Sequence, residues 1–231
     1  MKTVKRVVLY LLGFLVLAIG INISKRAGLG ISPVSSIPYA CELVWGIELG
    51  KATYFVYMGL MALQIILLRK DYKVRNLLQI VPTFILGTFI TYTSTKYLLF
   101  WLPEPSTYVI RLVYLAISIV VIGIGVSGFL IPNIMSLPAE GLCAAIVQVS
   151  KDKIKFGNAK VGVDTGMVSV SAILSLVFLG SLATVREGTI LAALLVGKVV
   201  GYIMKNYKPK IVEWLDKGEN TSEKPIDKEA V

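Results

Sequence analysis

Long apolar stretches alternate with short polar ones along this chain of 231 residues. Six stretches approach or reach the length needed to cross a hydrocarbon core of about 30 Å. They cover roughly residues 5–24, 52–69, 76–98, 108–131, 160–180 and 188–206. A water-soluble protein of this size would not carry repeated uninterrupted apolar runs. The pattern therefore predicts an all-α integral membrane protein with several spans.

Two polar, proline-containing stretches interrupt this pattern. The first covers residues 28–38 with the sequence GLGISPVSSIP, and the second covers residues 132–142 with the sequence PNIMSLPAEGL. Each lies where a spanning helix would be expected to stay apolar. Broken segments at matching places in two halves of a chain are typical of the binding site of a transporter.

An internal repeat relates the two stretches. When the chain is shifted against itself, Pro33 falls on Pro138. With short insertions, Gly50 falls on Gly157 and Gly87 on Gly197. Because both halves share the order of span, break, span and span, we interpret the chain as a duplication.

The repeat divides the chain into four parts. Residues 1–101 form the first membrane repeat, and residues 108–208 form the second. The connecting loop, residues 102–107, contains two prolines that a helix would not continue through. Residues 209–231 are polar and charged, and we expect a largely disordered cytoplasmic tail with a short interfacial helix at 211–215.

The basic residues choose between two topologies. If the broken segments enter and leave on one side, the protein has six full spans in two inverted three-span repeats with re-entrant helices. The N-terminus, the basic clusters at 69–75 and 151–160 and the C-terminus are then all cytoplasmic, as the positive-inside rule favours. The alternative is eight spans in two parallel four-span repeats.

Composition excludes several function classes. The chain has a net charge of +10, and its basic residues flank the apolar runs. This placement predicts topology signals and no nucleic-acid partner. The chain has no histidine and two isolated cysteines, so we expect no metal and no cofactor. Nothing resembles a nucleotide loop or a catalytic triad, so we expect no enzyme.

Ionisable side chains within predicted spans or broken segments are the strongest candidates for function, because charge is costly in a bilayer. Three stand out in the second half: Glu140, Asp164 and Lys198. Two of them have neutral counterparts in the first half, since Ser35 falls on Glu140 and Tyr57 on Asp164. The full predicted substrate site consists of Glu140, Asp164, Lys198, Asn22, Ser35, Tyr57, Asn133 and Arg26.

Other residues are assigned to structure. Positive ends of half-helices beginning at Pro33 and Pro138 would point towards the midplane and suit an anionic group. The predicted structural residues are Pro33, Pro138, Gly28, Gly30 and Gly141. Further glycines are expected where helices pack closely; these are Gly123, Gly125, Gly128, Gly197 and Gly201.

Two motifs carry a family resemblance. At RAGLGISP, residues 26–33, and at PAEGL, residues 138–142, the chain resembles the YczE/YyaS/YitT group of bacterial membrane proteins. The Asp164 region and residues 187–189 are also similar to that group, and the likeness extends to about Tyr207. The resemblance implies a bacterial inner-membrane protein with about five or six predicted spans. It implies no activity, because that group is largely of unknown function.

The leading hypothesis is a secondary transporter for a small polar or anionic metabolite, with its site near the midplane between the repeats. The expected partners are the lipid bilayer, the substrate and H⁺ or Na⁺ as coupling ion, and a homo-oligomer is left open. The expected location is the cell membrane, with both termini in the cytoplasm. The alternatives are a substrate-binding subunit of a larger transporter and a membrane scaffold or assembly factor that transports nothing.

Overall fold

The structure of the protein is a computed structural model that describes residues 2–216. This part of the chain is all-helical. The helices are α1 Lys2–Ala27, α2 Pro33–Trp45, α3 Leu49–Leu68, α4 Ile80–Tyr92, α5 Tyr108–Leu130, α6 Pro138–Val149, α7 Phe156–Leu179, α8 Glu187–Asn206 and α9 Lys208–Asp216. Two 3-10 segments, Arg69–Asp71 and Val74–Gln79, join α3 to α4. Most of the expected disordered tail, residues 217–231, lies outside the described residues.

Within residues 2–216, six helical segments are long and apolar enough to cross a membrane, as the hydrophobic pattern predicts. They are Thr3–Ala27, Leu49–Asp71, Val74–Tyr92, Tyr108–Leu130, Phe156–Leu179 and Glu187–Asn206. The third was expected to reach residue 98, but its helix ends at Tyr92. Residues with hydroxyl side chains follow directly, and Thr93 Oγ1 donates a hydrogen bond to the Phe89 carbonyl at 2.6 Å. Such local hydrogen bonds compete with continuation of a helix.

The outer surface of the helices is apolar and part of the interior is polar. Phe55, Ile66 and Val177 are exposed, whereas Ser118 and Ser171 are completely buried. This arrangement suits a lipid environment, in which apolar side chains face outwards and small polar side chains pair between helices. The protein is therefore a multi-pass membrane protein.

The helices pair in a pattern that matches in the two halves of the chain. The repeat predicted from the sequence would make α1, α2, α3 and α4 equivalent to α5, α6, α7 and α8. The broken helix α2 packs on α7 of the other half, and α6 packs correspondingly on α3. Likewise α1 packs on α4 as α5 packs on α8, and α1 and α5 form the largest contact between the halves.

The equivalent helices α1 and α5 run antiparallel. Gly13 of α1 lies against Gly128 and Phe129 of α5, and a side chain at Gly13 would overlap their backbone. Further along, Gly125 lies against Leu17 in the same way. Because numbers fall along α5 as they rise along α1, the two helices cross in opposite directions. This confirms the expected close packing at Gly125 and Gly128.

The two broken helices begin at their prolines and are held by the opposite half. Pro33 and Pro138 occupy the first helical positions, where proline is favoured because no N–H is needed. In the second half of the chain, the Pro138 carbonyl accepts a hydrogen bond from Gln64 Nε2 at 2.9 Å. In the first half, the Ser36 carbonyl accepts one from Ser171 Oγ at 2.8 Å.

The short helix α9 packs against the beginning of α1. Arg6 and Asp216 form an ion pair at 3.2 Å, and Lys5 Nζ lies 5.0 Å from the centre of the Trp214 ring. The expected short helix at 211–215 is thus confirmed within Lys208–Asp216.

Candidate functional site

A cavity of about 320 Å³ lies between the two broken helices, and we call it the central cavity. The start of α2 contributes Ser32 to Ser35, and the start of α6 contributes Leu137 and Glu140. Residues of α1, α3, α4, α5, α7 and α8 complete its wall. Both halves of the chain therefore build the same cavity.

Three ionisable side chains lie in the wall of the central cavity, and we call them the ion cluster: Glu140, Lys160 and Asp164. Lys160 Nζ donates a hydrogen bond to Asp164 Oδ1 at 2.6 Å. Glu140 interacts electrostatically with both of these residues. Its Oε2 is buried and has no hydrogen-bond partner within the described chain. Lys160 thus hydrogen-bonds one carboxylate, and two carboxylates share this one ammonium group.

Two of the predicted neutral residues face the same cavity. Ser35 is buried at the start of α2, with its hydroxyl 3.4 Å from the Ser32 hydroxyl. Tyr57 of α3 is buried and interacts electrostatically with Glu140 and Asp164. The structure therefore brings Glu140, Asp164, Ser35 and Tyr57 together, as members of one cavity wall.

The rest of the central cavity is apolar. Its wall contains Leu17, Ile21, Leu86, Ile122, Val126, Phe129, Leu130, Phe156, Val161, Ala192, Ala193, Val196 and Val200, among others. In residues 2–216, no group of three or more His, Cys, Asp or Glu side chains is placed to hold a metal ion. The cavity therefore combines a cluster of charged side chains with a mainly apolar wall, which suits a ligand that has both a charged group and an apolar part.

Asn22 and Arg26 lie in a different cavity at the far end of α1. This second cavity of about 270 Å³ is also lined by Lys25, Tyr39 and Arg111. The Asn22 amide already donates to the Ile90 carbonyl at 2.8 Å and to Thr93 Oγ1 at 2.9 Å. Arg26 forms an ion pair with Glu104 at 2.9 Å. Neither residue lines the central cavity with Glu140.

Asn133 and Lys198 also lie away from the central cavity. Asn133 is exposed in the turn after α5, with a positive φ of 52° that asparagine tolerates well. Lys198 is exposed on the outer side of α8. The lysine beside Asp164 is Lys160, which sequence reasoning had assigned to a cytoplasmic basic cluster. The pairing is visible in the sequence, because Lys160 and Asp164 are four residues apart and so share one helix face.

The predicted structural residues occupy tight positions. Gly28 and Gly30 have positive φ angles of 66° and 92°, which other residues rarely adopt. A side chain at Gly30 would also collide with Thr189 Oγ1. Gly141 faces the side chains of Gln64 and Gln79, and a Cβ there would come within 2.8 Å of both.

Gly197 and Gly201 of α8 do not have the expected close packing. An added Cβ at Gly197 or at Gly201 would have nothing within 4 Å of it in the described chain. Gly123 does contact α8, but it does so through the side chain of Val199. The face of α8 that carries Gly197 is therefore open within this chain.

Comparisons with known proteins agree with the resemblance seen in the motifs. The chain is 26% identical over 200 residues to the uncharacterised protein YyaS of Bacillus subtilis (strain 168), an alignment that covers 84% of this chain and 90% of that protein. No solved structure matches. A family of unknown function, DUF6198, matches residues 4–205, which include every element of the central cavity. The chain belongs to this family.

Proposed function

We propose that the protein is a secondary transporter and that the central cavity is its substrate site. The observation that carries this proposal is the shared construction of the cavity. The first turns of two broken helices from two repeats meet at one site, beside the ion cluster. Transporters built from repeats place their sites in this way, and movement of one repeat against the other then exposes the site alternately to each side.

An inverted arrangement of the repeats is supported by their helices. Because α1 and α5 are equivalent and antiparallel, the operation that relates the halves reverses their direction across the membrane. The crossed pairs α2 with α7 and α6 with α3 follow from the same operation. Residues 69–75, the start of α7 and the end of α8 then share one side with the N-terminus. The positive-inside rule makes that side cytoplasmic.

Re-entrant broken helices are supported by the contacts of α2. Its first turn bonds to Ser171 through the Ser36 carbonyl, and its last residue, Trp45, lies 5.6 Å from Phe178 between ring centres. Since α7 ends at Leu179, α2 runs from inside the bundle out towards that end. The chain also leaves α1 at that end, because the Leu29 carbonyl accepts a hydrogen bond from Gly188 N at the start of α8. Such backbone is tolerated at membrane depth where it lines a cavity.

The ion cluster supplies the specificity in this proposal. Glu140, Lys160 and Asp164 would bind the charged group of a small metabolite, and Ser35 and Tyr57 would orient it. H⁺ or Na⁺ as coupling ion would compensate Glu140 when the substrate is absent, because an uncompensated carboxylate is costly in an apolar cavity.

A thermal-shift screen of the purified protein tests this function. The panel holds amino acids, vitamins, organic acids and small sulfonates, with wild type, Glu140→Gln and the control Glu48→Gln compared side by side; Glu48 is a half-buried glutamate outside the cavity lining. We expect one ligand class to stabilise wild type and Glu48→Gln, by about 2.7 kcal/mol at 100 times Kd, and to leave Glu140→Gln unshifted. The same ligand should be taken up by proteoliposomes that contain the wild type.

Two results would contradict the proposal. If the ligand shifts the unfolding temperature of Glu140→Gln and of Asp164→Asn as much as that of the wild type, the ion cluster is not the site. A protein that binds nothing in the panel and transports nothing, while Glu140→Gln remains as stable as wild type, would favour a scaffold.

A further inference from the structure

The central cavity opens to the outside between two of the helices that line it, and we call this opening the mouth. Its exposed lining residues are Phe156, Val161, Ala193 and Gly197. The first two belong to α7 and the last two to α8, while the lining residues of the other elements are buried or half-buried. Moreover, α7 and α8 have no extensive contact with each other. The mouth therefore lies between α7 and α8.

On the α8 side the mouth opens towards lipid. Ala193 and Gly197 lie in the middle of the span Glu187–Asn206, so this part of α8 is within the hydrocarbon core. Apolar side chains are exposed at the mouth, since Leu194 is 61% exposed and Val161 is 66% exposed. A molecule that passes between α7 and α8 would come from the bilayer.

The equivalent gap in the first half is closed. There α3 and α4 pack together, with Gly50 against the Gly87 carbonyl and Tyr54 filling the contact. Tyr54 OH is hydrogen-bonded to Thr88 Oγ1 at 2.7 Å. In the second half, Gly157 and Gly197 occupy the positions equivalent to Gly50 and Gly87, and neither has a neighbour within 4 Å of an added Cβ. The opening is thus specific to α7 and α8.

The charge of the cavity selects the ligand. Two carboxylates face one ammonium group, and Asp164 and Lys160 form an ion pair at 2.6 Å. Glu140 Oε2 is left as a buried acceptor with no donor in the described chain. A single cationic donor on the ligand would complete the cluster, whereas an anion would add to the excess negative charge. The apolar residues that make up most of the cavity wall would hold a hydrocarbon body.

We propose that the central cavity takes an amphipathic organic cation, with one ammonium group on an apolar chain, and that this molecule enters from the bilayer between α7 and α8. The inference rests on the proposed function because it uses the same cavity. It replaces the anionic substrate expected from the half-helix ends with a cation, since Glu140 lies in the first turn of α6 and already compensates the positive end of that helix.

Binding of radiolabelled octylamine to the protein in nanodiscs of phosphatidylcholine tests the ligand class. Octanoate and octanol serve as chain-matched competitors that differ only in the head group. We expect saturable octylamine binding that weakens about tenfold or more in Glu140→Gln, since a hydrogen bond between charged groups is lost. The control Glu48→Gln should bind as wild type does, and both competitors should displace octylamine poorly.

Two matched glycine variants test the route of entry. Gly197→Leu places a large side chain in the mouth, and Gly201→Leu places the same side chain one turn further along α8, outside the cavity lining. Both sites have open space, so neither variant should disturb the fold. We expect Gly197→Leu to slow association and dissociation of octylamine together, and Gly201→Leu to leave both rates unchanged. Unchanged rates in Gly197→Leu would overturn entry between α7 and α8.

The outcomes separate this inference from the proposed function. Octanoate binding in place of octylamine, with loss in Glu140→Gln, overturns the cation and keeps the transport site. A small water-soluble metabolite that binds in a Glu140-dependent way while octylamine does not overturns the amphipathic ligand and its route. Absence of any Glu140-dependent binding, for octylamine and for the metabolite panel, removes both proposals.

Discussion

At the scale of single residues, Lys160 and Lys198 show how the fold separates two similar charges. Both belong to spanning helices, but Lys160 lines the central cavity beside Asp164, whereas Lys198 is exposed on the outer side of α8. A lysine in the second situation can extend its chain towards the membrane surface and keep its ammonium group hydrated. Replacing a lysine in the first situation leaves the neighbouring carboxylates without their cation.

We expect Lys160→Met to destabilise the protein and Lys198→Met to leave its stability unchanged. Removing Lys160 leaves Asp164 and Glu140 as two uncompensated carboxylates in an apolar cavity. Breaking a fully buried pair costs about 3–5 kcal/mol. The Lys160 and Asp164 side chains remain 30% and 22% exposed, so we expect about 1–3 kcal/mol here.

Thermal unfolding in one detergent measures this difference, and a double-mutant cycle gives its cause. The variant that combines Lys160→Met with Asp164→Asn should be more stable than Lys160→Met alone, because no unpaired Asp164 remains. If the double variant unfolds at a lower temperature than Lys160→Met, the ion pair is not the reason for the loss.

The sequence alone predicted part of this site. Glu140 and Asp164 could be found because charge inside an apolar stretch is rare. Ser35 and Tyr57 followed from them through the repeat. Lys160 was missed because it begins a span and so resembled a topology signal. Asn22 could not be placed, because its partners Ile90 and Thr93 belong to a distant part of the chain.

At the scale of elements, each broken helix is held by one side chain from the opposite half. Gln64 of α3 bonds to the first turn of α6, and Ser171 of α7 bonds to the first turn of α2. Gln64 also donates to Gln79 Oε1 at 3.1 Å, so it joins α6 to the segment before α4. The starts of α2 and α6 were predictable from their prolines. Their anchors were not, because hydrogen bonds between halves leave no local pattern.

Gln64→Leu should loosen α6 and destabilise the protein. The substitution removes the donor for the Pro138 carbonyl and for Gln79 Oε1, and leaving buried acceptors unpaired costs about 1–3 kcal/mol each. Hydrogen exchange measured over residues 138–149 should become faster, together with a lower unfolding temperature. The control is Gln148→Leu, at an exposed position of α6 itself. Equal exchange in both variants would mean that Gln64 does not hold the helix.

At the scale of the whole molecule, the two halves have the same order of helices but differ in how their last two helices pack. Six apolar helices could be predicted from the length of the apolar stretches, and the similar order of helices in the two halves from the order of the motifs. The difference between the halves could not, because Gly50 and Gly157 are equivalent in sequence. Only packing distinguishes them: α3 and α4 close upon Gly50 and Gly87, whereas Gly157 and Gly197 face open space. A transporter that alternates would exchange these two arrangements.

Gly50→Ala and Gly157→Ala test this exchange as a matched pair. In the present state the methyl group that Gly50→Ala adds would overlap the Gly87 carbonyl and Thr91 Oγ1, and overpacking of this kind costs about 1–3 kcal/mol. Gly157→Ala meets nothing, so its unfolding temperature should equal or exceed that of wild type. If α7 and α8 close in the other state, Gly157→Ala should nevertheless slow transport in proteoliposomes, because its added methyl group would then occupy the position of the Gly50 contact. Full transport activity in Gly157→Ala would mean that the second half never adopts the closed packing of the first, and that the mouth between α7 and α8 is a permanent feature of the fold.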